Sequence, residues 1–133
     1  MAPQPLLRTM LFLLVLFFLA MGSAHFLGVK WPVLFIYYDT PFYGYQDRII
    51  SFTLVTYAAL YWAAAFHRVI LPFVLISAWS TVLGLAYVNI SQDLADVLTA
   101  DQDTMVYWLQ TGALAVAAII LTILTLREPR ATP

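Results

Sequence analysis

Four long runs of apolar residues, separated by short polar segments, dominate the pattern of the chain. They cover about residues 9–29, 49–66, 69–88 and 104–126, and every Asp, Glu, Lys and Arg falls outside them. A transmembrane helix needs roughly 17–25 predominantly apolar residues, so each run is long enough to cross a bilayer. The pattern predicts an all-α integral membrane protein, a four-helix transmembrane bundle in which residues 1–133 form one domain.

The shortest connection lies between the second and third runs, where only His67 and Arg68 separate them. These two helices are therefore expected to form a tight antiparallel hairpin. In the longer segment 89–103, Leu94, Val97 and Leu98 share one helical face. That spacing favours a short helix lying on the membrane surface.

The sequence Asn89-Ile90-Ser91 matches the N-glycosylation pattern. It directly follows an apolar run, so the acceptor would lie against the membrane. We expect no glycan at this position.

Basic residues predict the orientation, because loops rich in Lys and Arg stay in the cytoplasm. Four of the six basic residues fall on the side of the termini and two on the other side: Arg8, Arg68, Arg127 and Arg130 against Lys30 and Arg48. Both termini are therefore predicted to be cytoplasmic, in a multi-pass protein of the plasma or inner membrane. Both longer loops are then extracytoplasmic.

The first run also resembles the hydrophobic part of a secretory signal, with Arg8 before it and Gly22-Ser23-Ala24 as a small-residue cleavage site. Cleavage there would leave His25 as an N-terminal residue able to chelate copper. Since the apolar run continues to Val29, we expect a retained first helix, and cleavage stays the alternative.

The composition mainly excludes classes of protein, partner and chemistry. The chain is 63% hydrophobic and 10% charged, whereas soluble domains have roughly 45–50% apolar and about 25% charged residues. A net charge of −1 does not favour nucleic acid as a partner. The absence of cysteine excludes disulfides, thiolate metal sites and thiol redox chemistry.

Candidate metal and catalytic chemistry is sparse. His25 and His67 are predicted at opposite ends of the bundle, so they cannot share one metal or haem within a subunit. No helix carries histidines or carboxylates at metal-binding spacing, and no apolar run contains an Asp, Glu, Lys or Arg. The sequence predicts no cofactor, no metal and no catalytic residues.

The segment 37–48 is the one passage that combines charge, aromatic rings and turn residues, and it is predicted to be a structured extracytoplasmic loop. Its side chains suit binding to a lipid head group or to a membrane protein partner: Tyr37, Tyr38, Asp39, Tyr43, Tyr45, Gln46, Asp47 and Arg48. The alternative is structural, with the carboxylates capping turns and the aromatics forming an interfacial belt. An outer-surface enzyme would require Asp39, Asp47 and His25 to converge.

A second candidate set lies within the apolar runs, where large polar-tipped side chains need partners. It contains Tyr57, Tyr61, Trp62, Trp79 and Gln110. These residues either hydrogen-bond between helices or line a pocket for a lipid or a quinone.

Taken together, these features predict a non-enzymatic accessory, assembly or scaffold subunit that contacts a membrane protein partner through residues 37–48. A homo-oligomer is the alternative to a different partner. The alternative is a binder or carrier of a small hydrophobic molecule in a pocket between the helices.

Overall fold

The computed structural model describes residues 2–29, 38 and 41–128, and this part of the chain is helical with no strands. Its elements are α1 (Pro5–Leu27), α2 (Tyr43–Phe66), a 3-10 turn (Arg68–Ile70), α3 (Leu71–Asn89), α4 (Gln92–Val97) and α5 (Met105–Leu126). Four of the described helices are long and apolar enough to span a membrane, which confirms the predicted multi-pass helical architecture.

The first two long helices begin earlier than their apolar runs. Helix α1 starts at Pro5, a favourable first position because the missing proline N–H has no partner inside a helix. Helix α1 ends at Leu27 and is capped by Gly28, whose positive φ of 67° places it in the left-handed conformation.

Helix α2 begins at Tyr43, so the prediction that residues 43–48 belong to a loop is wrong. These polar residues form the first turns of a helix that extends past its apolar stretch. The residue before it, Phe42, has a positive φ of 64°. Gln46 and Asp47 are thereby placed on a helix, where their positions follow helical spacing.

The helices associate as two pairs. Helix α1 packs mainly against α2, and α3 packs mainly against α5. Gly22 lies at the α1–α2 contact, where a Cβ atom on this residue would stand 3.2 Å from the Ser51 carbonyl oxygen. The glycine therefore allows the two backbones to approach closely.

The two pairs meet at the end of the bundle that holds Pro5 and Leu126, which we call the terminal end. There the side chains of Leu7, Leu11, Val74 and Leu121 are fully buried in one cluster.

Polar contacts close the terminal end further. The backbone N–H of Gln4 donates to Glu128 Oε1 at 2.8 Å, and Arg68 Nη2 lies 2.9 Å from Glu128 Oε2. The guanidinium of Arg8 stands over the Phe66 ring, 4.8 Å from its centroid. These contacts bring the start of α1, the α2–α3 turn and the end of α5 together.

At the opposite end, which we call the loop end, α4 follows α3. Ser91 caps α4 by accepting a hydrogen bond from the Leu94 N–H at 3.2 Å. Asn89 Nδ2 donates to Thr111 Oγ1 at 2.9 Å and links α3 to α5. A cavity lies between the pairs at this end.

Candidate functional site

The cavity has a volume of about 290 Å³ and is bounded by α1, α2, α3, α4 and α5. Its apolar lining includes Phe18, Met21, Ile50, Leu54, Leu85 and Leu114. Its polar and aromatic lining includes Tyr38, Tyr43, Gln46, Asp47 and His25, together with Tyr57, Thr81, Asn89, Tyr107 and Gln110.

Polar and apolar groups are segregated along the cavity. His25, Asp47, Asn89 and Tyr107 come from the helix turns nearest the loop end. Phe18, Leu54 and Leu114 lie two turns or so deeper along their helices, toward the bundle centre. The cavity is thus mainly polar at the loop end, which we call its mouth, although Val88 and Leu94 also lie there. It is mostly apolar inside, with Tyr57 and Thr81 as the deep polar groups.

A buried ionisable pair forms part of the mouth. His25 Nδ1 lies 2.9 Å from Asp47 Oδ1, and both side chains are 9% exposed. When Asp47 is ionised its carboxylate only accepts hydrogen bonds, and Nδ1 is then the donor in this contact. The pair joins the last turns of α1 to the second turn of α2.

The second carboxylate oxygen of Asp47 has no such partner. Oδ2 is buried and accepts no hydrogen bond from the described residues. A buried acceptor left unpaired costs about 1–3 kcal/mol, and more when it is charged. A hydrogen-bond donor brought to this oxygen would recover that free energy.

Tyrosine rings make up a large part of the polar lining. Tyr38 contacts Tyr107 edge to face, with ring centroids 5.9 Å apart. Deeper in the cavity, Thr81 Oγ1 lies 3.5 Å from the Tyr57 hydroxyl and connects α3 to α2.

Asn89 has a structural role at the mouth. Its side chain is buried, and its Nδ2 donates to Thr111, whose own hydroxyl donates to the Tyr107 carbonyl at 2.8 Å. Glycosylation needs this nitrogen to be accessible, so the geometry opposes a glycan at Asn89.

The residues of the predicted binding loop fall into three groups: those that line the cavity, those that do not, and those outside the described part of the chain. Tyr38, Tyr43, Gln46 and Asp47 line the cavity. Tyr45 and Arg48 are exposed and do not line it. Tyr37 and Asp39 lie outside the described residues, and so does the convergence of Asp39 with Asp47 and His25 that an outer-surface enzyme would require.

The residues of the predicted pocket divide in the same way. Tyr57 and Gln110 line the cavity, whereas Tyr61, Trp62 and Trp79 do not. The Tyr61 ring packs against Phe18, with centroids 5.1 Å apart.

The two tryptophans have other contacts. Trp62 packs edge to face on Phe12 at 5.3 Å, and Trp79 Nε1 donates to Thr122 Oγ1 at 3.1 Å. These three aromatic residues therefore hold helices together, whereas Tyr57 and Gln110 join four loop residues around one cavity.

Sequence reasoning missed the contributions of His25, Thr81, Asn89 and Tyr107 to the cavity. Three of these side chains share one signal, since His25, Asn89 and Tyr107 lie within about one turn of a span end on the same predicted side of the membrane. Among the described residues, no three His, Cys, Asp or Glu side chains are grouped closely enough to hold a metal ion.

Comparison of the chain with protein-family profiles, with curated proteins and with solved structures finds no match. The function of the chain must therefore be inferred from the cavity and its side chains.

Proposed function

We propose that the protein binds a small hydrophobic molecule with one polar end, held in the cavity at the loop end of the bundle. The observation that carries the proposal is the segregated lining of a cavity of about 290 Å³. The polar end of the ligand lies beside His25 and Asp47, and its apolar part extends toward Phe18, Leu54 and Leu114. In the predicted orientation, the site opens toward the extracytoplasmic side.

The size of the cavity supports a binding site over a packing defect. Ligand pockets have volumes of roughly 300–1,000 Å³, and this cavity lies at the lower bound. Its interior is mostly apolar, so we expect it to be filled by hydrocarbon when the protein is in its membrane.

Native mass spectrometry of gently extracted protein tests this function with a matched pair of variants on α3. Leu85 lines the cavity, whereas Leu83 is 66% exposed and does not line it. Leu85→Trp inserts a large ring into the cavity and should remove a non-covalently bound small molecule that the wild type retains. Leu83→Trp should retain it. Equal occupancy of all three proteins, or no bound molecule in the wild type, would contradict the proposal.

The accessory-subunit role stays a second candidate because two large aromatic side chains project from the start of α2. Phe42 is 81% exposed and Tyr45 is 71% exposed. If a membrane protein partner binds there, Phe42→Ala with Tyr45→Ala should abolish its co-purification, and Leu83→Trp should not. Unchanged co-purification would remove this candidate.

A further inference from the structure

We infer that the polar end of the bound molecule is a protonated amine, held by the Asp47 carboxylate and the tyrosine rings of the mouth. This inference rests on the proposed function and names the chemical class of its ligand. It is carried by the unpartnered acceptor, the charge of the lining and the aromatic groups beside it.

The acceptor is the first observation. Asp47 is buried, one of its oxygens accepts from His25, and the other accepts from none of the described residues. A ligand group that donates hydrogen bonds matches this oxygen, whereas a ketone, an ester or a quinone carbonyl does not. Oδ2 is covered by its neighbours, so the head group reaches it through a side-chain movement at the mouth, where Tyr43 and Gln46 are exposed.

The charge of the cavity lining favours an amine over other head groups that donate hydrogen bonds. Among the described residues that line the cavity, Asp47 is the one carboxylate and there is no Lys or Arg. A carboxylate or phosphate head group would therefore meet a like charge and no Lys or Arg among the described lining residues. An ammonium forms a charge-assisted hydrogen bond with the carboxylate, which is stronger than the bond from a neutral alcohol.

The aromatic lining favours the same class. Tyr38, Tyr43, Tyr57 and Tyr107 all contribute to the cavity. The face of an aromatic ring attracts an ammonium group within about 6 Å of its centroid, and aromatic residues recur in sites for such cations. The edge-to-face contact between Tyr38 and Tyr107 holds two of these rings in place at the mouth.

The experiment compares three probes that share one skeleton and differ in the head group: phenylbutylamine, phenylbutanol and phenylbutanoate. Binding is measured by isothermal titration calorimetry on the full chain in nanodiscs of zwitterionic lipid, with protein-free nanodiscs subtracted. We expect the amine to bind at least about tenfold more tightly than the alcohol, and the carboxylate to bind most weakly.

Asp47→Asn should remove the preference for the amine over the alcohol, and Asp93→Asn on the exposed surface of α4 should preserve it. If Asp47→Asn does not fold, the head-group series on the wild type still decides the question.

The outcomes separate this inference from the proposed function. If the alcohol or the carboxylate binds as tightly as the amine, and Leu85→Trp abolishes that binding, the amine assignment is wrong and the cavity function stands. If no probe binds to the wild type, or if Leu85→Trp leaves amine binding unchanged, both the assignment and the cavity function fail.

Discussion

The hydrogen bond between His25 and Asp47 shows how two residues at the ends of neighbouring spans become a buried site. Each residue lies near a helix end, where sequence alone favours an interfacial position in contact with water. The close approach of α1 and α2 instead excludes water from both side chains, which are 9% exposed. Their burial depends on a helix contact that involves Gly22 and Ser51, residues that carry no charge.

Removal of the imidazole is predicted to destabilise the protein. His25→Ala takes away the donor of the buried Asp47 carboxylate and should lower the free energy of unfolding by about 1–3 kcal/mol. His67→Ala is the control, because that histidine is exposed, and it should change stability by less than about 0.5 kcal/mol. Denaturant unfolding in detergent micelles measures the free energy of unfolding of both variants. Similar losses in the two would contradict a stabilising contact between His25 and Asp47.

At the scale of elements, the four apolar runs correctly indicated four long helices, because a bilayer requires about 20 apolar residues per span. The helix starts were less predictable. Residues 43–48 contain polar and turn-favouring side chains, but a membrane helix is free to continue beyond the hydrocarbon once its apolar part is formed. This extension places Gln46 and Asp47 on the same helix as Tyr57, which sequence reasoning had assigned to a separate site.

The contact between α1 and α2 predicts opposite effects for two glycine substitutions. In Gly22→Ala the new Cβ meets the Ser51 carbonyl oxygen at 3.2 Å, and this backbone atom must shift by a few tenths of an ångström. We expect a cost of about 1–3 kcal/mol, because the atom belongs to a packed helix. Gly112 on α5 has open space around it, so Gly112→Ala should stabilise the helix by up to about 1 kcal/mol. The sign of the change in unfolding free energy distinguishes them, and stabilisation by Gly22→Ala would count against the close helix contact.

At the scale of the whole molecule, the bundle is closed at the terminal end and contains a cavity at the loop end. The number of spans could be predicted from sequence, but the pairing of α1 with α2 and of α3 with α5 could not. In a membrane, helix association depends on side-chain packing and not on hydrophobic periodicity. Sequence reasoning therefore named Tyr57 and Gln110 as pocket residues but also named Trp62 and Trp79, which contact other helices.

The ion pair at the terminal end gives a prediction for the closed half of the molecule. Glu128 is only 5% exposed at its side chain, so Arg68→Ala would leave its carboxylate buried without this cation. We expect a loss of about 3–5 kcal/mol in unfolding free energy. Glu128→Gln retains an acceptor for the Gln4 N–H and should cost only about 0.5–1.5 kcal/mol. Equal losses of unfolding free energy in the two variants would contradict a stabilising role for the ion pair between Arg68 and Glu128.

The most direct test of the cavity function is leucine methyl NMR of the protein in nanodiscs during titration with phenylbutylamine. Leu54, Leu85 and Leu114 line the cavity, whereas Leu83 and Leu109 are exposed on the apolar surface. We expect saturable shifts and intermolecular contacts for the cavity leucines, with little change for the exposed ones. Non-saturable changes confined to the exposed leucines would show that the probe only dissolves in the surrounding lipid, and would contradict the account.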